Sequence, residues 1–71
     1  MAEDKNTKFR RLAKQRGDRA LREIRLVGNL SNRNNYSYTD QEVRKLFAIL
    51  EEEIKSAKAR FQTDVRREIK L

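Results

Sequence analysis

Apolar residues recur at three- and four-residue steps along two stretches of this chain, and a polar stretch separates them. In the later stretch Val43, Leu46, Phe47, Leu50, Ile54, Ala57, Phe61 and Val65 fall within an arc of about 100° on a helical wheel, which is the pattern of an amphipathic helix. Its start carries its own signal. Thr39 followed by Glu42 makes a capping box, in which the threonine hydroxyl takes one orphan N–H of the first turn and the glutamate reaches back for another. Tyr38 before the cap and Val43 at the fourth helical position form the accompanying hydrophobic staple. The spacing predicts a helix over 39–70, with Glu51 and Lys55 placed to pair on its surface. Val43, Leu50 and Ala57, with Phe47, Ile54 and Phe61, hold a heptad register that Asp64 and Glu68 break, a stutter that locally alters supercoiling.

In the earlier stretch Phe9, Leu12, Ala13, Ala20, Ile24 and Val27 share one side of the wheel, while Arg11, Lys14, Arg22 and Arg25 gather on the other. This predicts a helix over 8–27, apolar on one face and basic on the opposite face. Asn6 or Thr7 is the expected cap, and residues 1–7 are expected to be a flexible tail. Arg16 projects from within the apolar arc, and Gly17 beside it costs about 1 kcal/mol relative to alanine in a helix interior, so poor packing or a kink is expected there. Asp18 with Arg22 and Arg19 with Glu23 are spaced to pair. Gly28 and Asn29 are expected to stop the helix through a left-handed residue. The Asn-rich connector, residues 28–38, is longer than most links between bundle helices. Leu30 and Tyr36 are expected to cover the open end of the helix pair, and the asparagines to make side-chain turns in a solvated corner.

Two such stripes predict an all-α fold: an antiparallel helical hairpin over residues 8–71. At 71 residues, with no cysteine to form disulfides and neither Cys nor His to hold a structural zinc, a lone hairpin buries little, so a homodimer forming a four-helix bundle is expected. Phe9, Ile24, Val27, Leu46, Phe47, Leu50, Ile54 and Phe61 would lie inside it. The charged start, Met1 to Lys5, lacks the apolar core of a signal peptide, and no run reaches the ~18 apolar residues of a membrane span. A cytoplasmic location is the expectation.

Charge then singles out a partner. Of the net +7, nearly all sits on the first helix: eight basic residues against two acidic between Lys8 and Arg25, and eight against seven from Thr39 onward. Arg11, Lys14, Arg22 and Arg25, flanked by Arg10 and Arg19, form a stripe suited to a phosphate backbone, because arginine's planar fork matches phosphate oxygens. Arg33 in the connector is an accessory contact, and Tyr36 offers a stacking surface for an unpaired base. An exposed polar face also keeps a helix soluble whatever it binds. The expected function is non-enzymatic nucleic-acid binding, DNA ahead of RNA; the alternative is an adaptor or inhibitor that binds an acidic protein surface. Membrane association is disfavoured by the small apolar face of the first helix, interrupted by Arg16. The absence of His and Cys removes the commonest general base and the strongest nucleophile. Glu51, Glu52 and Glu53 point about 100° apart and cannot jointly hold a metal. No cofactor is expected.

Overall fold

A computed structural model describes residues 3–66, with side chains over 3–62. It contains helix α1, Lys5–Gly28, a short 3-10 turn, Asn29–Ser31, and helix α2, Asp40–Arg66, with no strand among the described residues. The chain divides into two units, Met1–Ser37 and Tyr38–Leu71.

The first helix begins at Lys5 rather than Lys8, and the reason is its cap. Asp4 sits in extended backbone at φ −71°, ψ 167°. Its Oδ1 accepts the N–H of Thr7 at 2.7 Å, and its carbonyl accepts the N–H of Lys8 at 3.0 Å. An aspartate satisfies the orphan donors of a first turn and also sets a negative charge at the positive end of the helix dipole. Asn6 and Thr7 therefore lie inside the first turn, and the expected tail over 1–7 gives way to helix from Lys5. The helix runs unbroken through Arg16 and Gly17.

Its end also differs from expectation. Gly28 is right-handed, at φ −60°, ψ −31°, and no described residue has positive φ. Instead of reversing through a left-handed residue, the chain donates the Asn29 N–H to the Arg25 carbonyl and tightens into the 3-10 turn, an alternative way of using the last carbonyls of a helix. The asparagines then do what turn residues do. Asn32 Oδ1 accepts the N–H of Asn34 at 3.0 Å, and the Asn32 carbonyl accepts those of Asn35 at 3.1 Å and Tyr36 at 3.0 Å, a side-chain mimic of a backbone turn followed by a real one.

Helix α2 opens on the capping box read from the sequence. The Thr39 N–H donates to Glu42 Oε1 at 2.8 Å, and the Glu42 N–H donates to Thr39 Oγ1 at 3.1 Å. Tyr38 and Val43, the staple residues, are each half-buried. Thr39→Ala is expected to cost about 1 kcal/mol of the stability of α2, read as faster hydrogen exchange of the amides in its first turn. Residues 67–71, including Glu68 and Ile69 of the expected helix end and stutter, lie outside the described residues. At 24 and 27 residues the helices run about 36 and 40 Å, closer in length than the sequence pattern indicates.

No described residue is buried. Of the eight side chains expected to form a core, Val27 and Leu50 are half-buried, while Phe9, Ile24, Leu46, Phe47, Ile54 and Phe61 stay exposed, Phe61 at 72%. A single helix covers only part of its own side chains, and most helical stability in proteins comes from packing an apolar face against something else. Leu21, Leu26 and Ile49 lie off the stripes and are likewise exposed, and Leu30 and Tyr36 remain about half exposed instead of capping a core.

Candidate nucleic-acid interface

The basic face of α1 is organised by two ion pairs at its N-terminal half. Arg11 makes a fork with Glu3: Nη2 donates to Oε1 at 2.8 Å and Nε to Oε2 at 3.0 Å. Lys14 Nζ donates to Asp18 Oδ2 at 2.8 Å, one turn along the same face. The Glu3 carboxylate raises the Arg11 guanidinium above its ordinary value through that hydrogen bond. The Asp18 carboxylate raises the Lys14 ammonium, first by the hydrogen bond and then by charge attraction. Both pairs are open to water, with side-chain exposures from 34% to 79%. Exposed pairs of this kind hold weakly and are screened by salt, so a phosphate can compete for either cation.

Farther along the helix the same face is left open. Arg22 and Arg25 are exposed and close no ion pair among the described residues, as are Arg10 and Arg19 on the flanks. The pairs expected from spacing, Asp18 with Arg22 and Arg19 with Glu23, do not form; Asp18 turns back to Lys14 instead. Nor does Glu51 pair with Lys55. Arg25 stands in the last turn of α1, where the negative end of the helix dipole favours a cation. Arg33 is exposed in the Asn32 turn and Tyr36 is 48% exposed just after it. The open cations Arg19, Arg22 and Arg25 thus share the C-terminal half of one helix, and the paired cations Arg11 and Lys14 share its N-terminal half.

Glu3 is the residue that sequence reading passes over. It lies outside any periodic segment, and only the Asp4 cap, which starts the helix early, brings it within reach of Arg11, eight residues away. The signal available was a carboxylate directly before a second carboxylate able to cap.

Asp4 gives this end of the helix a pH dependence. The backbone N–H of Thr7, and then its side chain, hold the Asp4 carboxyl below the usual aspartate value. A carboxyl lowered on folding contributes stability that is present above the unfolded value and is lost as pH falls through the folded one. Acidification below the ordinary aspartate range is therefore expected to loosen the first turn of α1, seen as the Thr7 amide resonance moving with the Asp4 titration. An Asp4→Asn chain, which keeps a capping oxygen, should lack that dependence.

Among the described residues no group of three or more acidic, His or Cys side chains could hold a metal ion, and no helix is long and apolar enough to cross a membrane. What these features define is an all-helical chain with two apolar stripes, exposed at Phe9, Ile24, Leu46, Phe47, Ile54 and Phe61, and a basic face on its first helix. Compared with known protein families, curated proteins and solved structures, the chain matches none of them.

Proposed function

We propose that this chain is a small non-enzymatic nucleic-acid-binding protein of the cytoplasm, duplex DNA ahead of RNA, built as an antiparallel hairpin that dimerises into a four-helix bundle. The observation that carries the reading is the open half of the α1 basic face, where Arg19, Arg22 and Arg25 stand exposed with little internal neutralisation. Dimerisation doubles that face. Support for the bundle comes from the exposed stripes, since most helical stability in proteins comes from packing an apolar face against another element. Contacts made by arginine to phosphate carry affinity and little sequence information, so the protein would bind duplexes of differing sequence within a narrow range of affinities.

Changing Arg11, Lys14, Arg22 and Arg25 together to glutamine tests the reading in a gel shift with duplex DNA, single-stranded DNA and structured RNA. Loss of the shift with helicity retained supports it; an undiminished shift refutes it. The acidic-protein reading keeps one specific observation in its favour. Two cations of this face, Arg11 and Lys14, already engage carboxylates of the same chain at 2.8 Å, which is the chemistry an acidic protein surface would offer. No shift with any nucleic acid, and one discrete protein retained by the immobilised chain, would favour it.

A further inference from the structure

From Phe9 to Val27 the apolar arc of α1 contains two charged residues, Arg16 and Glu23. They are seven residues apart, on one line down the helix and about 10.5 Å from each other along its axis. Both are exposed, and neither makes an ion pair among the described residues. Charges inside a packing stripe are costly to cover unless the covering surface brings opposite charges to meet them. Helix α2 has no carboxylate to meet Arg16: over the corresponding arc from Val43 to Phe61 every residue is apolar except Lys58, at its edge.

The order of residues along α1 supplies the complement. The stripe reads Phe9, Leu12 and Ala13, then Arg16, Ala20 and Glu23, then Ile24 and Val27. Reversed, it reads apolar, acidic, small, basic, apolar. We infer that the apolar face of α1 docks on the same face of a second copy of this chain, antiparallel, with Arg16 against the partner's Glu23 and Glu23 against the partner's Arg16 around a two-fold axis near Ala20. A parallel pair would set Arg16 against Arg16 and Glu23 against Glu23, so like charges exclude it. Alanine at the axis lets the two backbones approach, and the large side chains at the ends, Leu12 against Val27 of the partner subunit, close the seam. Because a two-fold contact is self-complementary, both ion pairs form or fail together.

This inference rests on the dimer in the proposed function and is independent of nucleic acid. It is tested on the full chain, without nucleic acid, by sedimentation equilibrium of the parent, Arg16→Glu, Glu23→Arg and the double variant Arg16→Glu/Glu23→Arg. Either single change puts like charges together twice per dimer and is expected to weaken self-association about tenfold or more. The double variant exchanges the signs and is expected to return to within about threefold of the parent. Singles without effect, or a double variant as weak as the two singles combined, would overturn the pairing while leaving the dimer intact; a parent that stays monomeric would overturn both. A second measurement does not depend on charge. The chain has no native cysteine, so Leu12→Cys and Val27→Cys chains mixed in equal amounts should oxidise to a mixed disulfide, with neither linking to itself. Self-linking of Leu12→Cys would mean a parallel pair and would contradict the inference.

Discussion

Raising salt from about 50 to 200 mM is expected to weaken binding of a duplex about a thousandfold, because each phosphate neutralised by a cation releases condensed counterions. Three open arginines per protomer, Arg19, Arg22 and Arg25, give six such contacts in a dimer and a slope of log affinity against log salt of about −5. Arg22→Gln/Arg25→Gln leaves two contacts and a slope of about −2. Fluorescence anisotropy of a labelled duplex over a salt series reads both. The paired cations move the result in a known direction. If phosphate displaces Glu3 from Arg11 and Asp18 from Lys14, the parent slope steepens beyond the value set by the three open arginines, and Glu3→Gln tightens binding. A slope near zero would mean that the basic face takes no part.

The second large effect concerns what covers the stripe of α2. Leu50 lies at the centre of that stripe and is half-buried, whereas its neighbour Ile49, 63% exposed, points off it. Leu50→Ala is expected to destabilise the assembled protein by about 3 kcal/mol, as for a core leucine, and Ile49→Ala by less than about 0.5 kcal/mol, as for a surface position. Urea unfolding at one fixed chain concentration compares them. The midpoint of the parent should also rise with concentration, since association stabilises by mass action. Equal effects at positions 49 and 50 would leave the stripe without a packing partner.

How far these features could be read from the sequence differs from element to element. The capping box at Thr39 and Glu42 and the helices themselves follow from short-range rules, because each needs only residues within one turn of one another. The Asn32 turn is of the same kind. The early start of α1 is not legible in the sequence because three capping residues compete within four positions, Asp4, Asn6 and Thr7; the carboxylate, favoured by the helix dipole, takes the cap. The stop at Gly28 departs from the expected left-handed residue because a glycine permits that backbone without requiring it, and a 3-10 turn serves instead. On the candidate site, spacing places the cations on α1 but does not choose their partners. Asp18 has Lys14 and Arg22 each four residues away, and spacing cannot choose between them. Glu3 and Arg11 meet across a cap that periodicity does not describe. The expected interior is a different matter: it depends on surfaces beyond a single helix, and local pattern specifies which side is apolar without specifying what lies against it.

In the proposed assembly a second copy covers the apolar stripes, and the open arginines of α1 then face phosphate. Sedimentation velocity of the full chain with a labelled duplex of about 20 base pairs, at low salt where such contacts are strongest, reads both in one run. The expected result is a dimer when the chain is alone and a complex of two chains per duplex that dissolves as salt is added. A chain that stays monomeric, or a duplex that sediments unchanged at every protein concentration, would contradict it.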